Sequence, residues 1–172
     1  ALGRAQETEP LLRRLAVNSE KVLGALHSDT LATVQELARL LPLDEAIKIH
    51  RQMLQWLDDS KDVSTQKLSA MKGLAMLLQE EGKHSEAEPL LRGIVEHHEQ
   101  ASGPADHEAL QAALDLAALF KAMGETHKAE ELLRRTMGIC EQMLSPDHQD
   151  CLAAITGLAL LRHEVGEGDE AV

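Results

Sequence analysis

The chain has 172 residues, 44% of them apolar, which is enough for one domain or one repeat array with a core of ordinary size. Trp56 and Phe120 are its only aromatic residues, so packing rests on Leu, Ala, Ile, Val and Met, which suits closely approaching helices and suits sheets poorly. A formal net charge of −12 argues against a broad surface for nucleic acid or anionic membrane, and apolar runs such as Leu116 to Phe120 fall far short of the roughly 20 residues that span a bilayer.

Apolar positions at Leu11, Leu12, Leu15, Val17 and Val22 predict a first helix over 7–23, with Pro10 in its first turn and Gly24 as its stop. A second helix runs from an N-cap at Ser28 or Asp29 to about Leu41 through Leu31, Val34, Leu37 and Ala38. Pro42 turns a tight corner into a third helix, Leu43 to about Leu57. There His50 takes a place held elsewhere by Leu12, Leu91 and Leu133, so a packed imidazole is expected. Residues 58–63 read as a polar linker, Ser64 or Thr65 caps a fourth helix to about Glu81, and Gly82 stops it in the left-handed conformation. The fifth helix, 84–100, sets Ala87, Leu90, Leu91, Ile94 and Val95 on one face and Glu86, Arg92, Glu96 and Glu99 on the other. Ser102-Gly103-Pro104 breaks the chain, and a sixth helix runs from Asp106 to Met123, capped by Gly124. The seventh, Thr126 to Met143, repeats the fifth, and Ser145-Pro146-Asp147 repeats the earlier break. An eighth, from Gln149 to Val165, is expected to end at Gly166.

One period runs through these elements. Ala87, Glu88, Leu90 and Leu91 return 42 positions on as Ala129, Glu130, Leu132 and Leu133, and Gly82 returns as Gly124 and Gly166. Such a period signals stacked repeats rather than one closed globule. Leu74-Ala75, Gly82 and Ala87, then Leu116-Ala117, Gly124 and Ala129, then Leu158-Ala159, Gly166 and Ala171 form a pattern that resembles the tetratricopeptide repeat. Leu37-Ala38 and Ala46 form a version four residues shorter and without the glycine. The long period, with Pro146-Asp147-His148 before a helix and Gly103-Pro104 to His107 before another, is similar to the repeats of kinesin light chain and nephrocystin-like proteins. The resemblance implies an all-α, right-handed α-solenoid of antiparallel helix pairs, about eight helices in all. The expected division is a half repeat 1–25, repeats 27–59, 64–104 and 107–146, and a half repeat 148–172. Residue 1 is Ala and not Met, and Ala171 opens a further repeat, so the array is expected to be part of a longer chain.

Candidate chemistry is thin. Among nine histidines, Glu96-His97-His98-Glu99 is the best case for a metal, but adjacent helical residues point about 100° apart and no HExxH spacing occurs, so His97 and His98 read as surface groups. His27, His107 and His148 fall at helix starts, where capping or loop packing accounts for them. Cys140 and Cys151, without a CxxC, read as buried small hydrophobes in reduced surroundings. The acidic pairs Asp58-Asp59 and Glu80-Glu81 read as solvated, and no GxSxG, Walker or GxGxxG loop is present. A protein that is not an enzyme is expected, with no catalytic residues, no metal and no cofactor.

The resemblance also implies a concave face lined by the first helix of each pair. Counting two before, two after and five after Leu37, Leu74, Leu116 and Leu158, with Gln111 added, the row is Gln35, Arg39, Lys72, Met76, Gln79, Gln111, Leu114, Ala118, Lys121, Thr156, Leu160 and His163. Its small apolar floor, three bases and no acid suggest a groove for a peptide segment or partner helix with an apolar anchor and acidic flanks. The alternative is a structural or scaffold subunit of a large multiprotein assembly that uses its outer helices. Either way the expected partner is protein, with no nucleic acid and no membrane insertion. The expected compartment is cytoplasmic, with cytoskeletal, ciliary or organellar association left open.

Overall fold

The computed structural model describes the backbone of residues 2–58, 65–145 and 147–170, and the side chains of 8–58, 65–145 and 147–164. The elements are α1 (Leu2–Leu23), α2 (Ser28–Ala38), α3 (Leu43–Asp58), α4 (Thr65–Glu80), α5 (His84–Ser102), α6 (His107–Ala122), α7 (Thr126–Met143) and α8 (Gln149–Glu170). No strand occurs among the described residues. The helices gather into two compact units, Ala1–Lys83 with α1 to α4 and His84–Val172 with α5 to α8. The boundary falls within the stretch read as repeat 64–104.

Within each unit successive helices pack on one another. The even-numbered, or A, helices also touch each other, α2 with α4 and α6 with α8. The odd-numbered, or B, helices of a unit, α1 with α3 and α5 with α7, share no comparable contact. Each unit therefore has a close-packed A side and an open B side.

Small residues set this spacing. Ala46 in α3 and Ala129 in α7 are fully buried, as are Ala70, Ala75 and Ala117 on A helices. One turn beyond Ala46 and Ala129, a larger side chain enters a gap left by a glycine. A Cβ placed on Gly73 of α4 would lie 2.5 Å from Cε1 of His50, and one on Gly157 of α8 would lie 3.2 Å from Cδ2 of Leu133. His50 is thus packed, as expected, and it is packed because Gly73 makes room for the imidazole. Its Nδ1 is buried without a hydrogen-bond partner. Burial lowers its pKa below the ordinary 6.5, against a hydrogen bond to the Ala70 backbone that raises it.

At Gly82 and Gly124 the backbone turns with φ of 79° and 75°. The next amides close the turn, Lys83 N–H onto Leu78 C=O at 2.8 Å and Glu125 N–H onto Phe120 C=O at 2.9 Å. Gly166 does not follow: α8 continues through it to Glu170. Glycine permits the left-handed turn without compelling it. Buried Ala129 anchors the helix after Gly124, whereas the matching Ala171 lies outside the described residues.

Three other boundaries differ from expectation. The first helix begins at Leu2 and so holds Pro10 in its interior rather than in its first turn. The residues ahead of 7 include Leu, Arg, Ala and Gln, all strong helix formers, and they propagate the helix upstream. The second stops at Ala38, short of Leu41, because the approach to Pro42 disfavours helical backbone. Pro42 C=O instead accepts from Glu45 and Ala46 N–H, each at 3.0 Å, and starts α3. The N-cap of α2 is His27 rather than Ser28 or Asp29, its Nδ1 accepting from Asp29 N–H at 3.2 Å. His148 repeats the arrangement ahead of α8, accepting from Asp150 N–H at 3.4 Å. Imidazole is not among the usual capping side chains, which is why the sequence pointed to its neighbours. The linker at 59–63, the cap at Ser64 and Pro146 lie outside the described residues.

Gly73→Ala is expected to cost the first unit about 1–3 kcal/mol by overpacking, with a much smaller cost in a His50→Ala background, read from denaturant midpoints of the four-member cycle. His50 titrates in the folded state below its unfolded value of 6.5, so the folded state binds fewer protons there. Stability of this unit should therefore fall as pH drops below about 6.5, and His50→Leu should remove that dependence.

Candidate partner-binding face

The A helices carry the predicted row, and each unit shows its own part. In the first, Gln35 Nε2 donates to Ser69 Oγ on α4 at 3.0 Å. Arg39 is exposed and held by Glu36 on its own helix at 3.2 Å. Met76 stands out, 55% exposed, while Lys72 and Gln79 are half-buried. In the second, Lys121 Nζ pairs with Glu164 on α8 at 2.7 Å. Gln111 Nε2 donates to Asp150, also on α8. The Thr156 hydroxyl donates back to Leu152 C=O at 2.7 Å. Ala118 and His163 are exposed, Leu160 is 55% exposed and Leu114 half-buried.

This corrects the expectation of bases without acids. Glu36 accompanies Arg39 and Glu164 accompanies Lys121, so the row is close to neutral where it is exposed. Gln35, Gln111 and Lys121 each tie one A helix to the next. Their partners lie 34 to 43 positions away and are visible only once the helices are packed.

Four predicted residues converge on one feature. An apolar groove of about 220 Å³ runs between α6 and α8, with Leu114, Ala118, Lys121 and Leu160 on its sides and Ala129 and Leu133 of α7 at its back. Ala153 and Gly157 complete it. Neither was in the predicted row, though Gly157 stands immediately before Leu158 just as Gly73 stands before Leu74, a signal the period already held.

A polar cluster around one buried carboxylate closes one end of the α6–α8 contact. Asp150, fully buried in the first turn of α8, has Oδ2 2.8 Å from His107 Nδ1 and accepts from Gln111 through Oδ1. His148 Nδ1 lies 3.5 Å from Oδ2. Desolvation raises the Asp150 pKa, but the hydrogen bonds from His107 and Gln111 and the charges of both histidines hold it below 3.8. The hydrogen bond and charge of Asp150 in turn raise His107 above 6.5. Burial and a hydrogen bond to the Cys151 thiol push Cys140 up to about 12, so its thiol stays protonated at neutral pH. Both cysteines are buried, matching the sequence reading. His97 and His98 correct theirs: they are half-buried with rings edge-on at 5.6 Å, and His98 Nδ1 lies 3.4 Å from Asp106, the N-cap of α6. Of the acidic pairs, Asp58 is bound by Lys67 at 2.7 Å and Glu81 by Lys83 at 2.8 Å, rather than merely solvated.

Residues 66–142 match the tetratricopeptide repeat family. Over those residues the chain carries tetratricopeptide repeats, and its fold is similar to solved repeats of the kinesin-light-chain kind. Its eight helices superpose on the crystal structure of a Podosopora anserina protein described as a kinesin light chain with nearly identical TPR-like repeats. That match has 26% identity and a TM-score of 0.85, covering 98% of this chain and 82% of the other. A single-residue variant of that protein agrees equally well, with 26% identity and a TM-score of 0.85. BtubC (BKLC) from P. vanneervenii shares the fold at 16% identity and a TM-score of 0.77, over 98% of this chain and 69% of its own. No curated protein matches the chain. Tetratricopeptide arrays are, as a class, protein-interaction modules and typically non-catalytic. No helix among the described residues is long and apolar enough to cross a membrane.

The His107 contribution is present below about pH 6.5 and is lost as pH rises through its raised value. That of Asp150 is present above about pH 3.8 and is lost as pH falls through its depressed value. His107→Ala should therefore lower the denaturation midpoint more near pH 5.5 than near pH 8.5, the opposite trend to His50→Leu.

Proposed function

We propose that the chain is a non-catalytic adaptor whose A-helix row binds a peptide segment or partner helix through an apolar anchor. The observation that supports this is the groove between α6 and α8, lined by Leu114, Ala118 and Leu160 and kept open by Gly157. An aliphatic or aromatic side chain fits such a groove, with complementarity set by shape more than by charge. Lys121 gives an acidic flank one attachment point, in competition with Glu164. Residues 1–172 read as one array of the repeats delimited above. The likeness to a protein described as a kinesin light chain favours a cytoplasmic, cytoskeleton-associated setting.

A scaffold subunit is the second reading. The observation that favours it is the exposed apolar side chains outside the row, Leu11 and Leu15 on α1 and Leu152 and Ile155 on α8.

The two are separated by an array of peptides with one Leu or Trp anchor between acidic residues, probed with the chain and its variants. Leu160→Glu and Ala118→Glu should each weaken binding about ten-fold or more, as expected for loss of one buried anchor, and Lys121→Glu should weaken it less. Binding that survives both groove substitutions unchanged removes the groove from consideration, and cross-links gathered on α1 and the other B helices then favour the scaffold.

A further inference from the structure

The B side of the first unit holds a separate cleft of about 260 Å³ between α1 and α3. Its floor is Val34 and Leu37 of α2, and Val17 and Ile49 form its walls. Arg13 stands at one end with its guanidinium committed to Glu9 at 2.9 Å and Glu45 at 2.6 Å. Two turns further along α1, the same register brings Glu20 abreast of Gln52, with Trp56 one turn beyond. The Glu20 carboxylate has neither ion pair nor hydrogen bond among the described residues. Trp56 is half-buried and has no cation over its ring among them. Phe120 in the second unit shows the contrast: Arg92 and Lys128 stand over it, 5.3 and 5.4 Å from its centroid.

An apolar bed, an indole face without a cation and a carboxylate without a counter-ion lie at the same end of one cleft. Together they suit the side chain of arginine, whose stem lies along aliphatic carbon while its planar head stacks on indole and meets a carboxylate. We propose that the cleft between α1 and α3 is a docking site for an arginine side chain projecting from a protein partner, with Trp56 and Glu20 receiving the guanidinium. The net charge of −12 draws a basic partner toward it, and an accessible tryptophan in a cleft is the kind of residue on which interface energy concentrates. The site uses no residue of the A-helix row and stands or falls independently of it.

Trp56 is the sole tryptophan, so its emission reports on this cleft alone. The probe is an acetylated, amidated Ala-Leu-Arg-Leu-Ala peptide titrated into the full chain, beside versions with citrulline or glutamate in place of arginine. The arginine peptide should give a saturable change in emission, citrulline should bind at least about five-fold more weakly for want of charge, and glutamate should not bind. Glu20→Gln should weaken the arginine peptide to a similar degree. Glu20 is exposed, so an unchanged denaturation midpoint is expected to accompany that loss. Equal binding of citrulline and arginine, binding of the glutamate peptide, indifference to Glu20→Gln or the lack of any saturable response each overturns the proposal.

Discussion

In each unit one B helix, α3 or α7, meets its neighbours through a buried alanine and, a turn later, a side chain set against a glycine. Ala46 with His50 against Gly73, and Ala129 with Leu133 against Gly157, repeat the arrangement in both units. Close-packed interiors leave little room for adjustment, so these contacts fix how far α3 stands from α4 and α7 from α8. The A helices are then near enough to touch while the B helices of a unit stand apart. Both clefts follow from that asymmetry, the apolar groove on the A side and the Trp56 cleft on the B side.

Polar groups then hold the A helices in register. Gln35 to Ser69, Gln111 to Asp150 and Lys121 to Glu164 each cross from one A helix to the next. The exposed pairs contribute little individually, since water and salt screen them. Asp150 differs, because a buried carboxylate must be answered by hydrogen bonds and opposite charge, and His107, His148 and Gln111 supply them. The two histidines are shifted in opposite senses: burial lowers the pKa of His50 in the first unit, and Asp150 raises that of His107 in the second.

For a binding module these constraints matter more than the total charge. A row of bases facing an acidic partner becomes, once paired with Glu36 and Glu164, a largely apolar and neutral track. If the proposed groove is the binding site, its specificity rests on the shape left by Ala118, Ala153 and Gly157 between larger neighbours. On the opposite side of the first unit Glu20 lines a cleft with no ion pair among the described residues.

By itself the sequence determined the helices, their order and the repeat. Those depend on local periodicity, on glycine turns at Gly82 and Gly124, and on small residues recurring every 42 positions, all of which are written in neighbouring residues. It also placed His50 in the core and both cysteines out of solvent. It misjudged the N-cap of α2, given to Ser28 or Asp29 where the His27 imidazole serves, and the end of α8, where a glycine was read as a command rather than a permission. Which side chains of the A row are open was decided only by tertiary structure. Gln35, Gln111 and Lys121 look like ligands in a linear count, and they became ties because their partners sit on a helix about one repeat away, at a distance that packing sets and periodicity does not.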